Sequence, residues 1–297
     1  MRPILRLPIT LALFVCSAFF ANAQAGRLVN LSTRALCKTG DAVLVNEFIL
    51  QGTGNETVVL RGIGPSLADL GVPDALEDPT SSLLNARGRT LDANDNWMDN
   101  PNADRIVAVG LQPTDPLKSA MIDPLRHGTY TFVEQGTHRV QGVALPEIYD
   151  LSDGGLQLSA VGTRGLVSTE DNVMISGFII VDSSPISLLI RALGPSLADA
   201  GLHRVLPDPL LELHDGDGNL IFSNDNWRDT QEAEIEATGL APTNDLESAM
   251  VVDLFPGKYA AVFSGVDETI GLGFLQIYSL DLPIRELNPD PIIRRHH

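Results

Sequence analysis

The sequence predicts an all-β protein made of two tandem, jelly-roll-like β-sandwich domains that arose by internal duplication, with short helical turns between strands. Three observations lead there. First, motifs recur at a domain-sized interval: Gly64-Pro65-Ser66-Leu67-Ala68-Asp69 returns as Gly194-Pro195-Ser196-Leu197-Ala198-Asp199, and Asn94-Asp95-Asn96-Trp97 returns as Asn224-Asp225-Asn226-Trp227, both 130 residues on. Ser119-Ala120-Met121 and Ser248-Ala249-Met250 lie 129 apart, as do Ile148-Tyr149 and Ile277-Tyr278, so one deletion falls between Trp227 and Gly239. A unit near 130 residues is long enough to build its own core, unlike a solenoid repeat. Second, the apolar segments are of strand length and are bounded by turn residues. Third, many short strands separated by Gly, Pro, Asn and Asp point to a sandwich or barrel.

The elements follow in chain order. Val43–Leu50 and Val173–Ile180 are apolar, partly β-branched and strand-length. Thr57–Arg61 and Ser187–Arg191 follow after polar turns. Ser66 and Ser196 suit short helical turns, with Asp69 and Asp199 three residues on, in a capping-box-like spacing. Asp229–Thr238 reads as a short helix closed by Gly239. Its partner, Asn100–Val109, carries Pro101, which a first turn accepts. Tyr130–Val133 and Tyr259–Phe263 start strands just after Gly128 and Gly257. Val143–Tyr149 and Gly273–Tyr278 close the two units. The expected divisions are a signal peptide over 1–23, sandwiches over 24–152 and 153–282, and a flexible, uncopied tail over 283–297; the alternative is one pseudo-twofold barrel merged from both halves.

Residues 1–23 fit a secretory signal. Arg2 and Arg6 are its positive end, Leu11–Val15 lies in its apolar stretch, and Ala21-Asn22-Ala23 supplies small residues at the cleavage point. No later stretch is long and apolar enough to span a bilayer as a helix. The segment contains Arg2 and Arg6 and no acid, so its removal takes the formal charge from −18 to −20. Such a charge argues against nucleic acid or an anionic membrane as partner. One cysteine then remains, Cys37. It forms no intrachain disulfide, and because it aligns with Val167 it is expected to be a small buried residue.

Several motifs carry candidate chemistry. Asn94, Asp95, Asn96 and Trp97, with Asn224, Asp225, Asn226 and Trp227, are candidate ligand-binding residues: an indole platform flanked by amides and a carboxylate suits a saccharide. The same residues also suit a plain turn locked to the core by tryptophan. Asp215, Asp217 and Asn219 alternate with glycine in the manner of a calcium loop, so calcium is the one cofactor considered. The helix–loop–helix register fails there, since Leu220 stands where its glycine belongs and Asn226 where its glutamate belongs. A hairpin turn between Leu213 and Ile221 explains the stretch equally well. Arg61 and Arg191, inside apolar strands, are expected to pair with a buried carboxylate such as the aspartate of the Asn-Asp-Asn-Trp turn, the alternative being a solvent-facing position. His127, His138, His203 and His214 align with Pro256, Asp267, Pro73 and Leu84, so no histidine is duplicated. Zinc, phosphate-loop and nucleophile-elbow motifs are lacking.

Ser32-Thr33-Arg34, Phe48-Ile49, Gly64-Pro65-Ser66-Leu67, Asn94-Asp95-Asn96-Trp97, Gly128-Thr129-Tyr130-Thr131 and Ile148-Tyr149-Asp150 together resemble a secreted bacterial tandem β-repeat module with no established activity. The Gly-x-Tyr strand is also distantly similar to pre-peptidase C-terminal β-sandwich domains. The resemblance implies an accessory binding or secretion role and carries over no catalytic residue. The expectation is therefore a secreted, non-enzymatic interaction or surface-structural module whose partner is an extracellular protein or polysaccharide. The alternatives are a glycan-binding protein using the two tryptophan turns, and a hydrolase whose site is assembled only in three dimensions.

Overall fold

The computed structural model describes residues 25–152 and 155–288. The expected signal peptide and the tail from residue 289 onward lie outside the described residues. The first half runs β1 (Arg27–Cys37), β2 (Leu44–Gly52), β3 (Glu56–Ile63), β4 (Pro79–Asn85), β5 (Thr90–Asn94), α1 (Ala103–Ala108), β6 (Ser119–Leu125), β7 (Gly128–Gly136) and β8 (Gly142–Asp150). The second runs β9 (Leu156–Val167), β10 (Met174–Val181), β11 (Ile186–Leu193), β12 (Pro209–Asp215), β13 (Leu220–Asn224), α2 (Glu232–Ala237), β14 (Ser248–Leu254), β15 (Gly257–Gly265) and β16 (Gly271–Ser279). The chain is thus all-β, as expected. Among the described residues both α-helices fall inside the two segments read as helical, and 3-10 helices of three to six residues make up the remaining helical turns.

The strands form two antiparallel layers facing one another, joined into one 16-stranded sheet where β1 also pairs with β9 at Leu36–Leu166. One is ordered β13-β12-β15-β10-β1-β8-β3-β6 and the other β5-β4-β7-β2-β9-β16-β11-β14. Each sheet takes four strands from each half, and the seams are the β1–β10 and β2–β9 ladders. Segments 24–152 and 153–282, expected as tandem sandwiches with a merged barrel as the alternative, therefore share both layers. The reason is edge pairing. The first half sends β1 to one sheet and β2 to the other, which would leave an open edge on each; the second half's β10 and β9 cover those edges.

Residues alternate across the two faces of each strand. Phe48, Val58, Leu60, Phe178, Leu188 and Phe263 point inward and belong to one continuous core spanning both halves. Their neighbours Ile49 and Val59 point outward into smaller clusters, where Trp227 and Ile235 of α2 cover one sheet and Trp97 and Ile106 of α1 cover the other. At the seam a buried polar chain joins the sheets: Thr163 Oγ1 donates to Asn46 Oδ1 at 2.7 Å and accepts from Thr33 Oγ1 at 2.8 Å, and Thr33 in turn accepts from Ser176 Oγ at 2.8 Å. Every member is bonded, so burial of these hydroxyls is compensated and the seam's register is fixed.

The tail departs from expectation. Residues 283–288 are anchored on the outer face rather than free. Pro283 O accepts from Gln51 Nε2 at 2.6 Å, Glu286 pairs with Arg191 at 2.8 Å, and Leu287 is 1% exposed against the Ile49–Tyr278 cluster. Cys37 is buried, as its alignment with Val167 implies, and its thiol donates toward Glu134 O. Burial, with the Glu134 charge nearby, pushes the thiol up to about 12. Since only the thiolate is nucleophilic, the folded chain made without residues 1–23, whose single cysteine is Cys37, should leave Ellman's reagent uncoloured at pH 8 and react as one thiol equivalent in guanidinium. Reaction of the native protein at the rate of a free thiol would overturn that burial. Among the described residues no helix is long and apolar enough to cross a membrane.

Candidate functional site

The two Asn-Asp-Asn-Trp turns are built alike. Each follows an edge strand, β5 or β13, and each first asparagine is a structural clamp. Asn94 Oδ1 accepts from Ala120 N at 2.9 Å while its Nδ2 donates to Asn96 O at 3.0 Å. Asn224 does the same with Ala249 N at 2.9 Å and Asn226 O at 3.0 Å. The indoles follow the structural alternative. Trp227 is 1% exposed, donates to Asn244 O at 3.1 Å, and is covered by the Arg228 guanidinium at 4.0 Å from the ring centroid. No face of it is open to a saccharide, which corrects its assignment as a platform. Trp97 is half-buried under α1, and its Nε1 has no partner.

The aspartates face outward and differ in company. Asp95 is exposed, accepts from Thr137 Oγ1 at 3.0 Å, and lines a cleft of about 750 Å³. The cleft lies between the turn after β1, the start of β4 and the β7–β8 turn. Lys38 and Arg139 bring cations to it, His138 an imidazole, and Thr39, Thr80 and Gln135 hydroxyls and an amide. Around Asp225 the matching positions carry Ser168, Asp267 and Glu268, so the charge reverses. There burial pushes the Asp225 carboxyl up, helped by Asp208, Asp229 and Asp267, and its Oδ1 lacks a hydrogen-bond partner. The left-handed backbone of His138 (φ 53°) and Arg139 (φ 65°) recurs at Asp267 (φ 51°) and Glu268 (φ 58°). The strained turn therefore belongs to the fold, whereas the cations belong to the first half alone.

Asp215, Asp217 and Asn219 form the hairpin turn between β12 and β13. Asp215 Oδ1 accepts from Asp217 N at 2.9 Å and Asn219 N at 2.8 Å, and its Oδ2 accepts from Asn219 Nδ2 at 2.9 Å. These bonds stabilise the carboxylate and hold it below its usual range. Both oxygens thus serve the turn, and among the described residues no group of three or more His, Cys, Asp or Glu could hold a metal ion.

The strand arginines find carboxylates, but not the expected one. Arg61 donates to Glu147 at 2.6 Å, to Leu111 O at 3.0 Å and to Tyr149 OH at 3.2 Å, with the guanidinium stacked 5.1 Å from the tyrosine ring. Arg191 repeats the set with Gln276 at 2.5 Å, Leu240 O at 2.5 Å and Tyr278 OH at 3.2 Å. Gln276 brings no charge, and Glu286 of the tail replaces the missing carboxylate at 2.8 Å. The partner is therefore a cross-strand neighbour, β3 to β8 or β11 to β16, and not the aspartate of the tryptophan turn.

A second contrast lies beside these arginines, where the loop before β6 or β14 meets the Gly-Pro-Ser turn. Lys118 is 2% exposed, and its Nζ lies 2.5 Å from Ser66 Oγ and 2.9 Å from Thr114 Oγ1. At the matching position stands Glu247, whose Oε1 accepts from Gly194 N at 2.9 Å, Ser196 N at 3.0 Å and Ser196 Oγ at 2.5 Å. The reading of motifs missed this pair because Lys118 and Glu247 lie just outside the recurring Ser-Ala-Met; its signal was the charge reversal between aligned positions.

No family model matches the chain, and no curated protein does. Similar solved structures include a DUF4785 family protein from Legionella pneumophila, 8% identical, over 83% of this chain and 63% of that one, at a TM-score of 0.23. They also include PNGF-II, 10% identical, over 89% of this chain and 59% of that one, at the same TM-score. The chain spans less than two thirds of either length, and likeness at that level carries no argument about this protein.

Proposed function

We propose that the protein is a secreted interaction module that binds an acidic polysaccharide in the cleft beside Asp95. One observation carries the reading: Lys38, His138 and Arg139 gather at a cleft of about 750 Å³ on a chain of net charge −18, while the aligned positions of the second half carry Ser168, Asp267 and Glu268. The volume is that of an ordinary ligand site. Cations select carboxylate or sulfate groups, and the fork of Arg139 suits a carboxylate bidentately. Thr39, Thr80, Gln135 and Asp95 supply the hydroxyl and amide partners that sugar hydroxyls require. The site is polar and lacks an aromatic platform, so charge is expected to carry much of the affinity and salt to weaken it.

The test installs the second half's residues in the first: Lys38→Ser, His138→Asp and Arg139→Glu together. The left-handed turn already accepts Asp267 and Glu268, so the fold should hold. Calorimetry with an oligogalacturonate should show at least a tenfold loss in affinity, about 1.4 kcal/mol. A neutral cello-oligosaccharide should bind neither form. Equal binding of the acidic probe by both proteins would overturn the assignment.

A further inference from the structure

The Lys118 geometry goes beyond a binding module. An ammonium that is 2% exposed needs a counter-ion, because burying an unpaired charge is costly. Lys118 has two neutral hydroxyl partners, Ser66 and Thr114, and among the described residues no carboxylate lies within ion-pairing distance of its Nζ. Burial lowers its pKa from the usual lysine value, and the Arg61 charge adds to this, against the opposing pull of Asp115, Glu147 and Asp69. A lysine amine 2.5 Å from a serine hydroxyl, once it has given up its proton, is placed as a nucleophile's base is.

The second half shows what the turn around that serine holds. There Gly194 N, Ser196 N and Ser196 Oγ converge on one carboxylate oxygen of Glu247 at 2.5–3.0 Å. The backbone of the two turns is alike, with Gly64 at φ −134°, ψ −74° and Gly194 at φ −140°, ψ −76°. An oxygen anion beside the serine hydroxyl and facing two backbone N–H groups occupies the position an oxyanion takes during attack on a carbonyl. In the second half Glu247 fills that position. In the first half no carboxylate stands there, Ser66 is half-buried and Thr114 is exposed, so the serine is reachable.

We propose that Ser66 and Lys118 are the nucleophile and general base of a hydrolytic site for carboxylic esters, with Thr114 positioning the amine and the N–H groups of Gly64 and Ser66 receiving the oxyanion. Lys118 takes the Ser66 proton as Oγ bonds to the ester carbon, and the carbonyl electron pair moves to oxygen. The pair returns, the C–O bond to the alcohol breaks, and the alkoxide leaves with the proton from Lys118. Water then attacks the acyl-serine, giving its proton to Lys118, and the acid departs as Ser66 regains a proton. The net change is ester plus water to acid plus alcohol, with no further reactant. Ser196 is inert in this scheme, because Glu247 occupies its oxyanion position.

The test treats the full chain with a fluorophosphonate and maps the adduct by mass spectrometry, alongside hydrolysis of p-nitrophenyl acetate. One adduct, on Ser66, is expected, with none on Ser196. Ser66→Ala and Lys118→Met should each lower hydrolysis more than 100-fold, and Ser196→Ala should leave it unchanged. Hydrolysis by the unaltered protein should rise with pH and level off below the titration range of a free lysine, which a merely structural Lys118 would not produce. That profile decides the matter even where Lys118→Met fails to fold. An unlabelled Ser66 in folded protein, or ester hydrolysis that survives Ser66→Ala, would overturn the proposal.

Discussion

Arg61→Met is expected to lower the free energy of unfolding by about 3–5 kcal/mol, the range for breaking a buried ion pair from one side. Glu147 is the reason. Its side chain is 7% exposed and holds Arg61 through Oε2 at 2.6 Å while accepting from Tyr149 OH at 3.0 Å. Without the guanidinium, a buried carboxylate keeps only the tyrosine and a long bond from Ser32 at 3.5 Å. The double variant Arg61→Met, Glu147→Leu should recover most of the loss, since apolar replacement of both partners is often neutral. Arg191→Met should cost less than Arg61→Met. Its neutral partner Gln276 is left without a charge to solvate, and its carboxylate partner, Glu286, is 65% exposed and can turn to water. Urea denaturation of the four proteins reads these differences directly. A near-neutral Arg61→Met would remove the case for a buried pair.

Glu134→Gln is expected to stabilise the protein above pH 5 and to leave it unchanged at pH 4. Glu134 lies in β7 with its side chain in the inter-sheet core. It is fully buried, and neither carboxyl oxygen has a partner. A side chain on Gly62 would collide with Ser119, Ser81 and the Glu134 carboxyl, so the glycine is what makes room for this polar knot. The aligned positions of the second half are apolar: Ala192 for Gly62, Leu211 for Ser81 and Phe263 for Glu134. Burial, with Glu147 adding to it, pushes the Glu134 carboxyl well above the usual 4.5. Below that pH both folded and unfolded chains carry the proton. Above it the unfolded chain releases the proton while the folded one keeps it, so stability falls by up to about 1.4 kcal/mol per pH unit until the folded group ionises. Glutamine cannot ionise and removes the slope. Denaturation midpoints for the two proteins from pH 4 to 8 should diverge as pH rises. Parallel curves would show that Glu134 already has a partner for its charge.

Local chemistry made much of the fold legible. Val43–Leu50 and Val173–Ile180 became β2 and β10 because their apolar, β-branched runs fit no other element. Asp229–Thr238 contained α2 because it has acids at its start and Gly239 at its end. The Asp215 hairpin followed from short side chains that bond their own backbone. β1 and β9 were harder to see. Arg27–Cys37 and Leu156–Val167 mix hydroxyls, arginine, asparagine and glycine into strands that bury Asn30 and Thr33 in one and Ser159, Thr163 and Arg164 in the other. Their inward hydroxyls become acceptable only because Thr33, Asn46, Thr163 and Ser176 meet across the seam.

The sites divide in the same way. Comparing aligned positions identified which residues belong to one half alone, and His138 was among them. It said nothing of where His138 would sit, because Lys38, Asp95 and Arg139 come from strand ends far apart in the chain. The partner of Arg61 was likewise a question of register, since Glu147 faces it only through the β3–β8 ladder. By itself the sequence determined the element types, the turns and the recurrence of the motifs, because each rests on side-chain-to-backbone chemistry within a few residues. Tertiary structure alone decided that the two halves share their sheets, that Trp227 is buried and that Lys118 reaches Ser66. Those depend on which strand edges remain open and which side chains are then brought together, and neither quantity is local to any stretch of chain.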